Sequence, residues 1–317
     1  MRSVRQLPIE ADPPVHTKFR KLLEPTFRRP NKPEYIADIE ALIERMLDGA
    51  LARGELEVIA DFALPLQSRA LTQLLGMPEC EASIWEGWGT SMFRDGSGEA
   101  KGEVLEDYLR AQLERAAADT EGEDFFCQLT RMEVDGRKLT TDEMLGIGNL
   151  TFAGGRDTVI NTVAMVIGDF ASNAAAIRKA AESTRGTNLA AEEYVRATTP
   201  LTHIGRVCPH GADLGAEQVA PGTRIGLTWA AANFDPEVFD CPEAINLERS
   251  PNPHLGFGFG AHNCLGSQHA RAILRSMIKL MAAKVQDVQI RSFEPNVEDE
   301  GSYVRRFGYA KLLVQIS

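Results

Sequence analysis

The sequence contains no Cys-x-x-Cys pair, and its five cysteines, Cys80, Cys127, Cys208, Cys241 and Cys264, are scattered and odd in number. That argues against a disulfide framework or a zinc site and fits a reducing compartment. Positive charge is not in excess either. Lys and Arg total 34 against 45 Asp and Glu, a formal net charge of -11, which disfavours general binding to nucleic acid or to a membrane surface. No apolar run reaches the roughly 20 residues a membrane span needs, and the opening MRSVRQLPIEADPP has no signal-peptide core. Internal repeats, low-complexity tracts and a clear interdomain linker are also missing. With 317 residues, 44% hydrophobic and 25% charged, the chain is expected to form one domain, 1–317, with a substantial core, located in the cytoplasm.

What is present reads mostly as helix. Asp12-Pro13-Pro14 has the form of a helix start, an N-cap acid followed by prolines in the first turn, and leads into VHTKFRKLLEPTF. PEYIADIEALIERMLDGALARG carries apolar residues at helical spacing and stops at Gly54. ALPLQSRALTQLLGM, the aromatic-bearing EASIWEGWGTSMF and a charged helix over 101–119 follow. MEVDGRKLT predicts a short hairpin turning on Asp135-Gly136. Thr140 and Glu143 form a capping box for a long helix over 141–172, with Leu139 and Met144 spaced as a hydrophobic staple. Two further helices are expected at 173–184 and 189–198. Beyond 200, short β-like runs such as TRIGLTWA give way to the irregular NFDPEVFDCPEAINLERSPNP, then a helix over 264–284 and a closing strand, AKLLVQI. Helices grouped first and small sheets late imply a mainly α, α+β domain.

HLGFGFGAHNCLG, residues 254–266, sets Cys264 among glycines. Glycine is the costliest residue to order, so a cysteine wanted only for packing has no need of them. At the start of a helix, unpaired N–H groups favour an anion, and a thiolate there is expected to have a lowered pKa. Three uses are open: a nucleophile, a metal ligand or a buried thiol. His262 is badly placed as a base for a nucleophile, and zinc would need three more ligands. A single axial ligand to haem iron needs one thiolate, a flat apolar approach and cationic groups, all of which the loop offers.

Phe257-Gly258-Phe259-Gly260-Ala261-His262-Asn263-Cys264-Leu265-Gly266 resembles, over all ten positions, the haem loop of the cytochrome P450 family, Phe-Gly-x-Gly-x-(His/Arg)-x-Cys-x-Gly. The resemblance implies haem b as cofactor, Cys264 as axial ligand to its iron, and Phe257, Gly258 and Gly266 beside it. Gly154-Gly155-Arg156-Asp157-Thr158, inside the long helix, resembles the family's (Ala/Gly)-Gly-x-(Asp/Glu)-Thr oxygen-activation groove. Each glycine should cost that helix about 1 kcal/mol, and Thr158 can return its hydroxyl to the Gly154 carbonyl. By resemblance Thr158 positions dioxygen or its bound water and Asp157 relays protons. Arg156 is expected to point outward. Glu193 and Arg196, three apart on a helix, resemble the family's Glu-x-x-Arg pair, joined by Arg249 to brace the Cys264 loop. His16, Arg20, Arg206, His254 and His262 are the propionate partners the resemblance proposes.

Ile147, Leu150, Thr151, Gly154, Thr158 and Thr162 share one helical face over the haem, with PLTHIG at 200–205 and Phe307 as further walls. Trp85, Trp88, Met92 and Phe93 are either a roof or plain core. The resemblance starts at the family's third major helix, so the further helices, most of a sheet and the gating loop that precede it in the family are not in this sequence. That points to a gene start placed too late, a truncated gene or a shortened member. The expected function is insertion of one atom of O2 into a small organic substrate, by hydroxylation, O-demethylation or epoxidation. Electrons would come from a ferredoxin or flavodoxin-type donor with an NAD(P)H-dependent reductase, docked on the basic stripe Arg271, Arg275 and Lys279. A non-catalytic haem-binding relic and a peroxide-using enzyme are the alternatives.

Overall fold

The computed structural model describes residues 4–90, 98–215, 217–299, 301 and 303–317. α1 (Val15–Phe27) starts after Pro14, with no side-chain cap. The expected Asp12 cap is therefore absent, although the Asp12 carbonyl does accept from His16 N–H at 2.9 Å. α2 (Pro33–Arg53) closes on Gly54, whose φ of 71° only glycine adopts cheaply. β1 (Glu55–Glu57) and a wide π-helical turn, Ile59–Ala63, lead into α3 (Leu64–Leu75). α4 (Glu81–Gly87), α5 (Gly98–Ala118) and α6 (Phe125–Arg131) follow, while Met92 and Phe93 lie outside the described residues.

The predicted hairpin forms from β2 (Glu133–Val134) and β3 (Arg137–Lys138), with Asp135 and Gly136 at φ 51° and 76° in its turn. The capping box forms too: Thr140 and Glu143 bond each other's backbone at the start of α7 (Thr141–Gly155). The long helix is not continuous. It breaks at Arg156 (φ -110°, ψ -79°), resumes as α8 (Asp157–Ala181), and kinks again at the non-helical Asn173. The helix expected at 173–184 is thus the end of α8, and α9 (Thr184–Thr198) starts five residues earlier than expected, capped by Ser183. The stretch Thr141–Ala181 is also apolar and long enough to cross a membrane by composition, contrary to the sequence reading. Here it is the core helix, its most apolar window 61% buried inside the protein.

β4 (His203–Cys208), β5 (Ala212–Asp213), β6 (Gln218–Val219) and β7 (Thr223–Thr228) form two antiparallel pairs, β4–β7 and β5–β6. After α10 (Trp229–Asn233) and the loop bearing Cys264 comes α11 (Ser267–Lys284). β8 (Val288–Asp299) and β9 (Val304–Ile316) end the chain in a three-stranded sheet ordered β1-β9-β8, Glu55 pairing with Gln315. α8 packs against α9, α11 and the last hairpin, and α11 packs against α2. At the other end of the central helix, the backbone of Arg5 crosses α7 at Gly146, where a Cβ would meet the Arg5 carbonyl at 2.0 Å. The fold is mainly α with small antiparallel sheets, as expected.

Candidate functional site

The loop before α11 is built by its own backbone. Cys264 N–H donates to Phe257 O at 2.8 Å and Gly258 N–H to Leu255 O at 2.8 Å, around a 3-10 turn at Gly260–His262. Gly258 and Gly260 have φ of 66° and 73°, which non-glycine residues rarely adopt. Gly256 is needed for closeness, since a Cβ there would lie 2.6 Å from the Val195 side chain. Gly266 has neither demand; beside it is open space. Burial pushes the Cys264 thiol above its usual range, against the pull of the Gly266 N–H, Arg20 and Arg271. The lowered pKa expected from the helix start is therefore overruled by desolvation: Cys264 stands three residues ahead of α11, outside its first turn.

Two carboxylates on α9 brace this loop. Glu193, fully buried, takes a fork of two 2.9 Å bonds from Arg196 and one of 3.0 Å from Arg249. Asn246 N–H and the Asn252 amide complete its shell. Further guanidinium protons reach the carbonyls of Asn233, Asp240, Pro242 and Ala244, so no charge is left without a partner. The second brace, Glu192, was missed from sequence. Arg271 forks onto it at 2.6 and 2.9 Å, and His254 adds a bond at 3.0 Å. Burial raises the Glu192 carboxyl, but these hydrogen bonds outweigh it and bring it to about 2. Arg271 also lies 4.5 Å over the Phe257 ring. An acid beside Glu193, 62 residues from the loop histidine it meets, carries no sequence signal of this pairing.

His16, Arg20, Arg206 and His262 come together. The two imidazole rings lie 4.2 Å apart, tilted by 50°, and Arg20 donates to Asn263 O at 2.5 Å. Burial lowers both histidine pKa values first; repulsion by His262 and Arg20 adds to it at His16, and by Arg206 and Arg20 at His262, while the well-exposed Asp12 opposes both. His16 Nδ1 is buried without a hydrogen-bond partner. His254 is engaged elsewhere, since its Nδ1 accepts from Gly256 N–H while Nε2 meets Glu192. The basic stripe of α11 is spent internally as well: Arg271 on Glu192, Arg275 on Asn188 and Lys279 on Glu40.

At the α7–α8 break, Thr158 gives its hydroxyl proton to Gly154 O at 3.2 Å, which leaves its oxygen lone pairs as acceptors. Gly154 is exposed between the buried Phe152 and Arg156, and open space faces its Cα. The open window spans Leu150 to Thr158; Ile147, Thr151 and Thr162, expected on the same lining, are buried. Asp157 faces a cleft with Ile59, Thr90, Asn161, Asn296 and Tyr309. Arg156 does not point outward. It is 2% exposed, donates at 2.8 Å to the carbonyls of Trp85 and Gly89, and lies over the Trp88 ring. Trp85 and Trp88 pack edge-on against Phe152 and Tyr108, which makes them core.

These residues fit a haem with two propionates. A lone loop thiol, a cation cluster short of anions with an orphaned ring nitrogen, and open space at Gly154 and Gly266 are what such a group would fill. A family model described as Cytochrome P450 matches residues 187–286. A solved structure titled "The structure of a carbohydrate active P450" is 42% identical, with a TM-score of 0.95 over 100% of this chain and 82% of that one. The chain is 28% identical to a steroid C26-monooxygenase of Mycobacterium tuberculosis (strain CDC 1551 / Oshkosh) over 292 residues, 89% of this chain and 78% of the relative. It is 27% identical to the cyclomarin C epoxidase CymV of Salinispora arenicola (strain CNS-205) over 290 residues, 88% of this chain and 73% of the relative.

Proposed function

The chain belongs to the cytochrome P450 family and is a haem-thiolate monooxygenase; from that premise we propose that its substrate is a small carbohydrate or carbohydrate ether. On this reading the chain inserts one atom of O2 into a C–H bond while the other leaves as water, with two electrons and two protons taken up. The product is a hydroxylated sugar or, at a methyl ether, a hemiacetal that releases formaldehyde and leaves the O-demethylated sugar. When bound, haem b supplies the iron at which dioxygen is activated. Cys264 holds that iron, His16, Arg20, Arg206 and His262 neutralise the propionates, and the Glu193 and Glu192 braces fix the loop. Thr158, its own proton held by Gly154 O, accepts from a water in the groove and so positions that water for proton delivery, and Asp157 passes protons inward from its cleft. Electrons come singly from a separate ferredoxin or flavodoxin-type protein with an NAD(P)H-dependent reductase, in the cytoplasm.

The observation that carries the substrate class is the similarity to the carbohydrate-active structure, 42% against 28% for the steroid oxidase. The 200–205 corner is polar: Thr202 hydrogen-bonds Glu298 and accepts from Arg305 at 2.8 Å, while His203 meets the Tyr303 hydroxyl at 2.9 Å. The test is a Soret titration of the purified protein with monosaccharide methyl ethers, free sugars, steroids and fatty acids. A saturable spin-state shift with the sugars alone supports the reading, and one with the lipids alone overturns it. Reduction under carbon monoxide should give the red-shifted thiolate band, lost in Cys264→Ala. Turnover driven by hydrogen peroxide as fast as by the redox chain would favour the peroxide-using alternative, which the retained Asp157–Thr158 pair speaks against.

A further inference from the structure

The α7–α8 break leaves a carbonyl to be satisfied from outside the helix ladder. A continuous helix would give the Val159 N–H to Gly155 O. Here that N–H goes to Arg156 O at 3.1 Å, joined by Ile160 N–H at 3.2 Å. Gly155 O accepts instead from the side-chain amide of Gln67 on α3. Gln67 is 1% exposed, and its Nε2 also lies 3.2 Å from His269 Nε2 on α11. His269 Nδ1 is 2.8 Å from the Tyr35 hydroxyl of α2, which has Ala70 O at 3.5 Å. All three side chains are buried.

Only one arrangement of protons satisfies this chain. The Gln67 NH2 has two protons, one for Gly155 O and one for His269 Nε2. His269 then carries its proton on Nδ1 and donates to Tyr35, which donates to Ala70 O. Reversing the amide would set its oxygen against the carbonyl oxygen of Gly155, which cannot donate; in the amide's present orientation Gln67 Oε1 is the atom left buried without a partner. A polar side chain at this depth, with an acceptor left unmatched, is destabilising. An apolar residue would avoid that cost if packing were the only need.

We propose that Gln67, oriented by His269 and Tyr35, is a positioning residue for the oxygen groove: by occupying the Gly155 carbonyl it keeps the central helix open at Arg156. Through His269 it ties that opening to the helix that starts just after Cys264. The groove's chemical use rests on the function proposed above; the hold on the helix does not. Without the amide, Gly155 O is left to the donor a continuous helix would give it, the Val159 N–H, and the ladder closes across the place where Thr158 bonds Gly154.

The test compares haem-loaded wild type with Gln67→Met, which keeps the length and loses both donors, and with Gln67→Glu, whose buried carboxyl stays protonated and donates in place of the amide. Amide hydrogen exchange over 156–160 is followed by mass spectrometry, and the crystal structure of Gln67→Met is determined. Gln67→Met should bring Val159 N to hydrogen-bond distance of Gly155 O and slow exchange in this segment about fivefold or more; Gln67→Glu should restore the wild-type rate near neutral pH. Leu71→Val is the packing control, because the Leu71 side chain faces Gly155. Wild-type exchange in Gln67→Met with Val159 still on Arg156 O, or the same slowing in Leu71→Val, would overturn the proposal. Loss of the thiolate spectrum in wild type would instead defeat the functional reading and leave the exchange result to stand.

Discussion

Thr158, Cys264 and His269 each show a side chain whose role is set by its surroundings rather than by its type. Thr158 has spent its only proton on Gly154 O, so it faces the groove as an acceptor. Thr158→Ala should leave the carbon monoxide spectrum intact while diverting most reducing equivalents into hydrogen peroxide, measured as peroxide formed per NAD(P)H consumed. An unchanged ratio would remove Thr158 from oxygen handling. His269 tests burial itself, because desolvation takes its pKa from 6.5 to about 4. A base that is harder to protonate when folded binds fewer protons than the unfolded chain between those values, so stability is full above pH 6.5 and falls toward pH 4. The loss is on the order of 3 kcal/mol at about 1.4 kcal/mol per unit. His269→Leu forfeits the hydrogen bonds at neutral pH and the acid sensitivity with them, so its deficit in thermal midpoint should shrink as pH falls. A deficit constant from pH 7 to 4 would contradict the buried neutral imidazole.

Helices with a capping box or a closing glycine, such as α7 and α2, were legible from the sequence because their termini are decided by neighbouring residues. The Arg156 break was only half legible. Two glycines and a threonine weaken a ladder locally, but what holds it open comes from α3 and α4, far away in sequence. Arg156 looked like a surface cation for the same reason: its acceptors are carbonyls of another helix, and a carbonyl has no signature in a sequence. The same logic separates the two α9 braces. Glu193 is enclosed by two guanidinium groups and fully buried, whereas the Glu192 side chain keeps 27% exposure. Glu193→Gln should cost about 3–5 kcal/mol in urea unfolding, because two buried cations lose their carboxylate. Glu192→Gln should cost roughly 1 kcal/mol but loosen Phe257, seen as faster haem loss to an acceptor globin. Equal destabilisation by the two variants would mean that the second brace is structural in the same sense as the first.

Across the whole molecule, charge is arranged against the net sign of the chain. A protein of net charge -11 gathers His16, Arg20, Arg206 and His262 at one place and spends the basic face of α11 on internal partners. The cluster was legible as residue types on a resembling motif; its exclusion of His254 was not, since that depended on Glu192. Its consequence is a pH dependence of cofactor uptake with two opposite limbs. The Cys264 thiol, pushed up by burial, is protonated at neutral pH in the cofactor-free protein and must release that proton to bind iron. Affinity for ferric haem should therefore rise nearly tenfold per pH unit between about pH 7 and 8. His16 and His262, lowered by burial and by their cationic neighbours, regain protons when propionates arrive, which favours binding as pH falls below about 6.5. Soret titrations across pH 5.5–8.5 should show a shallow minimum between the limbs. Cys264→Ala should lose the alkaline limb and keep the acid one, and His16→Gln with His262→Gln should do the reverse. A pH-independent affinity in wild type would mean that the thiol reaches the iron already ionised, and that the cation cluster does not answer to the propionates.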